Sequence, residues 1–92
     1  MDRTHAPSEI LNRPDVLDRL AEIEHERWAH WQRFVHDSCH EQEDGSLVIP
    51  VEMVQRWERQ IATPYPDLTE AERSSDIEQV KRYLPTVIGA LE

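Results

Sequence analysis

The segment IEHERWAHWQRF, residues 23–34, lies in the longest stretch of helical periodicity in the chain. At about 100° per residue, one arc of the helical wheel collects apolar side chains, which predicts an amphipathic helix with that arc facing a core. The arc comprises Leu20, Ile23, Trp31 and Phe34. Glu24 and Arg27 fall inside the same arc. We therefore expect this helix to direct one acid and one base toward the interior.

The helix that contains this segment is predicted to begin at Pro14 or Asp15 and to run to about Asp37. Proline suits the first helical position, and an acid in the first turn interacts favourably with the helix dipole. Residues 1–13 show no periodic pattern, which predicts a flexible N-terminal arm. Residues 14–92 are then enough for a single domain with one modest core.

After this first helix the pattern changes to a hairpin and then to a second helix. The residues Asp44-Gly45-Ser46 predict a turn before the apolar run 47–49, and hence a short β-hairpin. The segment PVEMVQRWERQI, residues 50–61, predicts helix 2, with proline at its start. Its expected core face consists of Met53, Val54, Trp57 and Ile61.

A third helix is predicted from Thr69 to about Leu84, where Pro85 would end it. Thr69 and Glu72 have the spacing of a capping box, which satisfies backbone donors at a helix start. The predicted fold class is therefore mainly α: a three-helix small domain with a short β-hairpin between helices 1 and 2.

The third helix repeats the charge arrangement of the first. Its predicted core arc consists of Ile77, Val80 and Leu84, and Arg73 and Asp76 lie within that arc or at its edge. An unpaired buried charge costs several kcal/mol. We therefore expect cross-helix ion pairs that join Glu24 to Arg73 and Arg27 to Asp76.

Two interpretations of this network stay open. It can be a purely structural ion-pair network, which is the usual role of buried charges. Alternatively, part of it lines a cleft in which Arg27 or Arg73 keeps donors for a ligand. Four aromatic side chains would then supply flat walls suited to a planar base with an attached phosphate, although aromatics at helical spacing are more often core. These are Trp28, Trp31, Trp57 and Tyr65.

The composition limits the partners. The formal net charge is −9, and a field of this sign repels phosphate backbones, so we expect no nucleic-acid binding. Nine of the ten basic residues are Arg, which suits a local pocket for a small anion. There is no apolar run of about 18 residues and no signal peptide, so we expect no membrane contact. The single cysteine, Cys39, agrees with a reducing, cytoplasmic location.

The segments LAEIEHERWAHWQRF, residues 20–34, and TPYPDLTEAERSSDIEQVKRYLP, residues 63–85, together resemble the RyR domain. This is the repeat module of ryanodine receptors, and it also occurs as a stand-alone protein in bacteria and phages. The residues that match the family pattern are His25, Glu26, Arg27, Trp28, Pro64, Tyr65, Leu68, Arg73 and Asp76. Two features depart from it: HDSCHEQEDGSLVIP replaces a glycine-aromatic-glycine segment, and Ile77 stands where an arginine often follows the aspartate.

The resemblance implies a compact, mostly helical module with a small hairpin. For stand-alone members it implies recognition of a nucleotide-derived signal such as cyclic ADP-ribose. A phage copy would sequester that signal in the host cytoplasm and so counter host defence. Because receptor repeats come in tandem pairs, it also implies a homodimer for a lone copy. The candidate ligand-binding residues are Glu24, His25, Arg27, Trp28, Trp31, Tyr65, Arg73 and Asp76.

Other chemistry has little support in the sequence. The HDSCH segment, residues 36–40, offers soft metal ligands, but a structural zinc site needs four ligands and no second cysteine is present. No nucleophile elbow or phosphate-binding loop appears either. We therefore expect no metal, no cofactor and no catalytic residues. The alternative function is a protein-interaction or structural module with a buried ion-pair network and no small ligand.

Overall fold

The computed structural model describes residues 4–92, and within that range the chain is mainly α-helical, as predicted. Four helices are present where three were expected, and a 3-10 turn at Tyr65–Asp67 joins the last two. The elements in chain order are α1 (Pro7–Leu11), α2 (Pro14–Ser38), β1 (His40–Glu41), β2 (Leu47–Val48), α3 (Val51–Ala62) and α4 (Glu70–Leu91).

Helix α1 corrects part of the expected flexible arm at residues 1–13, of which residues 1–3 lie outside the described range. Pro7 occupies its first turn, and Ile10 is the most buried apolar residue of the described chain, with 2% of its surface exposed. A single buried side chain has no periodicity, so five residues of helix give no recognisable pattern in the sequence.

Helix α2 agrees closely with its prediction, since Pro14 lies at its start and Asp15 in its first turn. The hairpin that follows is antiparallel, and His40 pairs with Val48. Its turn depends on Gly45, whose φ of 87° lies in the left-handed region that glycine adopts without strain. Both strands are exposed.

The start of α4 confirms the capping box. Thr69 Oγ1 accepts the Glu72 backbone N–H at 3.2 Å, and the Glu72 carboxylate accepts the Thr69 backbone N–H at 3.0 Å. The predicted end of this helix at Pro85 is wrong, because α4 continues to Leu91. A proline inside a helix costs about 3 kcal/mol. The turns beyond it carry half-buried residues and α4 packs against α1, so tertiary packing overrides the local preference.

Thr69→Ala is expected to lower the free energy of unfolding by about 1 kcal/mol, because the Glu72 backbone N–H loses its acceptor and the Glu72 carboxylate loses the Thr69 hydroxyl as a donor. Urea denaturation followed by circular dichroism measures the change. Ser74→Ala is the matched control: it also removes a hydroxyl, but Ser74 is exposed on α4. Equal effects of the two substitutions would show that the cap contributes no stability.

The core lies where α1, the first half of α2 and α4 meet. Its buried apolar side chains within residues 4–92 are Ile10, Val16 and Ile23. The predicted core arc of α4 is wrong, because Ile77, Val80 and Leu84 each expose more than two fifths of their surface. The half-buried face of α4 instead carries Gln79, Tyr83, Thr86 and Ala90. Trp31 and Phe34, expected in the core, are 43% and 42% exposed.

The protomer is elongated. Its extents are 58 × 35 × 16 Å and its radius of gyration is 18.2 Å. A compact domain of this length is expected to have a radius of gyration of about 12 Å. The second half of α2, the end of α3 and the first half of α4 border an open cleft and not a closed core.

Candidate functional site

An open cleft of about 740 Å³ lies between the second half of α2, the end of α3 and the first half of α4. Helix α2 contributes Arg27, Trp31 and Phe34 to its lining. Helix α3 contributes Gln60 and Ile61, and α4 contributes Asp76, Gln79 and Arg82. The cleft thus combines aromatic rings, two guanidinium groups, two amides and two carboxylates, those of Glu72 and Asp76, in one place.

The aromatic wall of the cleft belongs to α2. The Trp31 and Phe34 rings stack with centroids 5.5 Å apart and planes at 30°. Trp57 of α3 meets Trp31 edge-on, with centroids 5.6 Å apart and planes at 61°. Trp31 and Phe34 lie on the face of α2 that is buried in the first half of the helix. In the second half of the helix no other helix covers this face, so both side chains are exposed. Their half-exposed faces are available for stacking against a planar ring.

Arg27 is held in a fixed orientation by Glu24, one turn earlier on the same helix. Its Nε donates to Glu24 Oε2 at 3.0 Å, and its Nη2 donates to Glu24 Oε1. The hydrogen bond from Arg27 lowers the pKa of Glu24, and the same bond raises the pKa of Arg27. A guanidinium has five N–H donors, so three are not used in this pair.

The predicted cross-helix ion pairs are wrong. Glu24 pairs with Arg27, whereas Arg73 donates through Nη1 to the backbone carbonyls of Pro66 at 3.3 Å and Leu68. Asp76 has no hydrogen bond or ion pair within the part of the chain that the structure describes. Both arginines therefore take acceptors within seven residues along the chain and not on the opposite long helix, and none of these charges is buried.

Three of the eight predicted ligand-binding residues line the cleft: Arg27, Trp31 and Asp76. Glu24 supports Arg27 without lining the cleft itself. His25 and Trp28 stack on each other elsewhere on α2, with centroids 6.0 Å apart. Tyr65 lies in the 3-10 turn, 47% exposed, and Arg73 is tied to the loop carbonyls. The structure does not bring these last four residues to the cleft.

The sequence reasoning missed the polar stripe of α4. Ser75, Gln79 and Arg82 recur at helical spacing and all line the cleft. Arg82 has no hydrogen bond or ion pair to any of residues 4–92, and the buried Gln79 Oε1 has no donor among them. This spacing was visible in the sequence. A helical wheel of this segment is dominated by the more apolar arc of Ile77, Val80 and Leu84, so hydrophobic periodicity does not indicate the polar stripe.

Glu72 fixes the end of α3 to the start of α4. Its Oε2 accepts hydrogen bonds from the side chains of Arg59 and Gln60, in addition to the capping-box contacts of its carboxylate. The Thr69 backbone N–H first, and then Arg59, lower the pKa of Glu72 to about 2. Only 14% of the side chain is exposed. This carboxylate therefore sets the position of one wall of the cleft.

Acid is expected to weaken this junction. Because the folded-state pKa of Glu72 is about 2 against an ordinary value of 4.5, its contribution to stability is complete above pH 4.5 and is lost as the pH falls toward 2. Urea midpoints measured across this range should fall less in Glu72→Gln than in the wild type. Glu70 is an exposed residue in the same turn, and the urea midpoint of Glu70→Gln should fall with pH as that of the wild type does. The same fall of the urea midpoint with pH in all three proteins would contradict the role of Glu72 in this junction.

The HDSCH segment lies at a second, smaller depression of about 430 Å³ beside the hairpin, lined in part by His36 and Cys39. Across residues 4–92, no group of three or more His, Cys, Asp or Glu side chains is placed to hold a metal ion. No helix in the same range is both long and apolar enough to cross a bilayer.

Comparisons with protein-family models, with curated proteins and with solved structures found no match to this chain. The resemblance to the RyR domain therefore depends on the residues quoted for it in the sequence analysis. The α2–α3–α4 cleft is the candidate site that the geometry itself provides.

Proposed function

We propose that this chain is a non-catalytic binding module of RyR type that takes a small nucleotide-derived anion in the α2–α3–α4 cleft. One observation carries the proposal: the guanidinium groups of Arg27 and Arg82 border the same cavity of about 740 Å³ as the Trp31 and Phe34 rings. Small-molecule sites typically have volumes of about 300–1,000 Å³ and combine apolar walls with a few polar groups.

Each part of a nucleotide has a suitable partner in the cleft. A base would stack on Trp31 and Phe34, whose faces are half exposed. Phosphate oxygens would accept hydrogen bonds from the remaining donors of Arg27 and from Arg82, which lacks a partner within residues 4–92. The fixed geometry of Arg27 beside Glu24 reduces the entropy lost on binding.

The acid in the cleft favours a sugar-containing ligand over a bare anion. Asp76 would repel a simple phosphate, but its carboxylate can accept hydrogen bonds from ribose hydroxyl groups. Cyclic ADP-ribose, the signal suggested by the RyR resemblance, contains a purine, two riboses and a diphosphate. Sequestration of such a signal is the activity we propose for the chain.

A thermal-shift panel tests this proposal. It contains cyclic ADP-ribose, ADP-ribose and cyclic dinucleotides, with inorganic phosphate and adenosine as the two partial ligands. A panel member present at 100 times its dissociation constant should add about 2.7 kcal/mol to the free energy of unfolding. Phosphate or adenosine alone should have a much smaller effect. No shift with any nucleotide would reject the proposal.

A second candidate, a protein-interaction module without a small ligand, is favoured by the exposed Trp28. This side chain is 53% exposed and stacks on His25 outside the cleft. An exposed tryptophan is a frequent anchor of protein interfaces. If this candidate is correct, the nucleotide panel gives no shift and Trp28→Ala abolishes capture of a cellular partner. Nucleotide binding that is unchanged in Trp28→Ala supports the cleft instead.

A further inference from the structure

The protomer exposes more surface than a chain of its size should. Its accessible surface is 7304 Å², whereas a folded monomer of 10.9 kDa is expected to expose about 5,600 Å². The excess is about 1,700 Å², and a standard interface buries about 800 Å² on each partner. The chain therefore has enough uncovered surface for a stable dimer and still leaves the cleft open.

Part of this surface is an apolar seam on α4. Reading α4 as heptads puts Ile77, Leu84 and Leu91 at a positions and Val80 and Val87 at d positions. The first two turns of the seam are open, since Ile77, Val80 and Leu84 are 44%, 43% and 42% exposed. Ile88 widens the seam and is 50% exposed.

The exposed seam residues Ile77, Val80, Leu84 and Ile88 are separate from the face of α4 that packs inside the protomer, whereas Val87 and Leu91 are half-buried. The half-buried residues Gln79 and Tyr83 lie about 120° and about 80° around the helix from the centre of the seam. Pro85 falls at a b position, so its missing N–H and its ring point away from a partner at the a and d positions. A second helix can therefore dock on the seam without displacing α1 or α2.

The charges beside the seam specify how two copies align. Asp76 occupies a g position and Lys81 occupies the e position five residues later. In a parallel pair, a g residue of one chain meets the e residue of the next heptad in the other chain. Asp76 would thus meet Lys81 of the partner subunit twice across the two-fold axis. An antiparallel pair brings e positions together, which would leave Asp76 without this partner.

We propose that α4 forms a parallel, two-helix interface with α4 of a second copy of this chain. The occupant is a second copy because the seam is self-complementary in charge and the uncovered area exceeds what a homodimer needs. The inference does not require the proposed function, because none of the apolar seam residues lines the cleft; Asp76 is the one residue that both lines the cleft and flanks the seam.

Sedimentation equilibrium tests the dimer. The wild type should sediment with the mass of two 10.9-kDa chains. Leu84→Glu should raise the dimer dissociation constant by roughly 100-fold or more, because it puts two carboxylates into the apolar seam. Leu17→Glu, on an equally exposed leucine of α2, is the matched control and should stay dimeric. A wild-type mass of one chain at millimolar concentration, or equal effects of the two substitutions, would overturn the proposal.

A cross-link tests the orientation and does not depend on how well the charged variant folds. In a parallel pair each a residue faces its own copy, so Leu84→Cys in a Cys39→Ser background should form an interchain disulfide on mild oxidation. Leu17→Cys in the same background should stay monomeric on a non-reducing gel. Cross-linking of Leu17→Cys but not of Leu84→Cys would overturn the proposed interface. A disulfide that joins Leu84→Cys to a different protein, in place of a second copy, would overturn it too.

Discussion

Ile23→Ala is expected to lower the free energy of unfolding by about 2–5 kcal/mol, the usual cost of truncating a buried isoleucine. Ile23 is 4% exposed and is one of three buried apolar residues within the described range 4–92. Domains of this size have a total stability of about 5–15 kcal/mol. A cavity at this position should therefore remove a large fraction of the stability.

Urea denaturation at a fixed protein concentration measures this effect, since any dimer makes the midpoint depend on concentration. Ile61→Ala is the matched control, because Ile61 is 78% exposed at the end of α3. Its midpoint should lie close to that of the wild type. Equal losses in the two variants would mean that the junction of α1, α2 and α4 is not the core.

Arg82→Gln is expected to weaken nucleotide binding by about 10- to 150-fold, which corresponds to about 1.5–3 kcal/mol for a hydrogen bond to a charged group. Arg82 lines the cleft and has no partner inside the described range, so its removal should leave the stability unchanged. Arg27→Gln is less informative, because it also releases Glu24. The Arg82→Gln variant therefore tests binding with less effect on stability than Arg27→Gln does.

Isothermal titration calorimetry with the panel member that gives the largest thermal shift measures the affinity. Arg56→Gln on α3 is the matched control, since Arg56 is exposed and does not line the cleft. It should bind as the wild type does. If both variants lose the same affinity, the effect of Arg82 is one of net charge and not of contact in the cleft.

The elements with local signals were predictable from the sequence. Pro14 and Asp15 indicated the start of α2, Asp44-Gly45-Ser46 indicated the hairpin turn, and Thr69 with Glu72 indicated the start of α4. Each of these signals acts within one turn of chain. The end of α4 was not predictable in this way, because the continuation through Pro85 depends on packing against helices that are distant in sequence.

The site was predictable only in part, for a similar reason. The helical wheel of α2 placed Arg27 and Trp31 on one arc, and both line the cleft. It could not say that α4 covers only the first half of that face, which leaves Trp31 beside a cleft. The helical wheel also could not identify the partner of Arg27. Glu24 on the same helix and Asp76 on α4 both offer a carboxylate that can pair with its guanidinium, and the structure pairs it with Glu24.

The central claim is that a nucleotide-type ligand occupies the α2–α3–α4 cleft, and the three tryptophan indole N–H signals in a ¹H–¹⁵N spectrum test it most directly. Single Trp→Phe variants assign the signals. Titration with cyclic ADP-ribose should shift the Trp31 signal, which lies in the cleft, and leave that of Trp28 unchanged, since Trp28 lies outside it. A titration that moves Trp28 alone, or none of the three signals, would contradict the account.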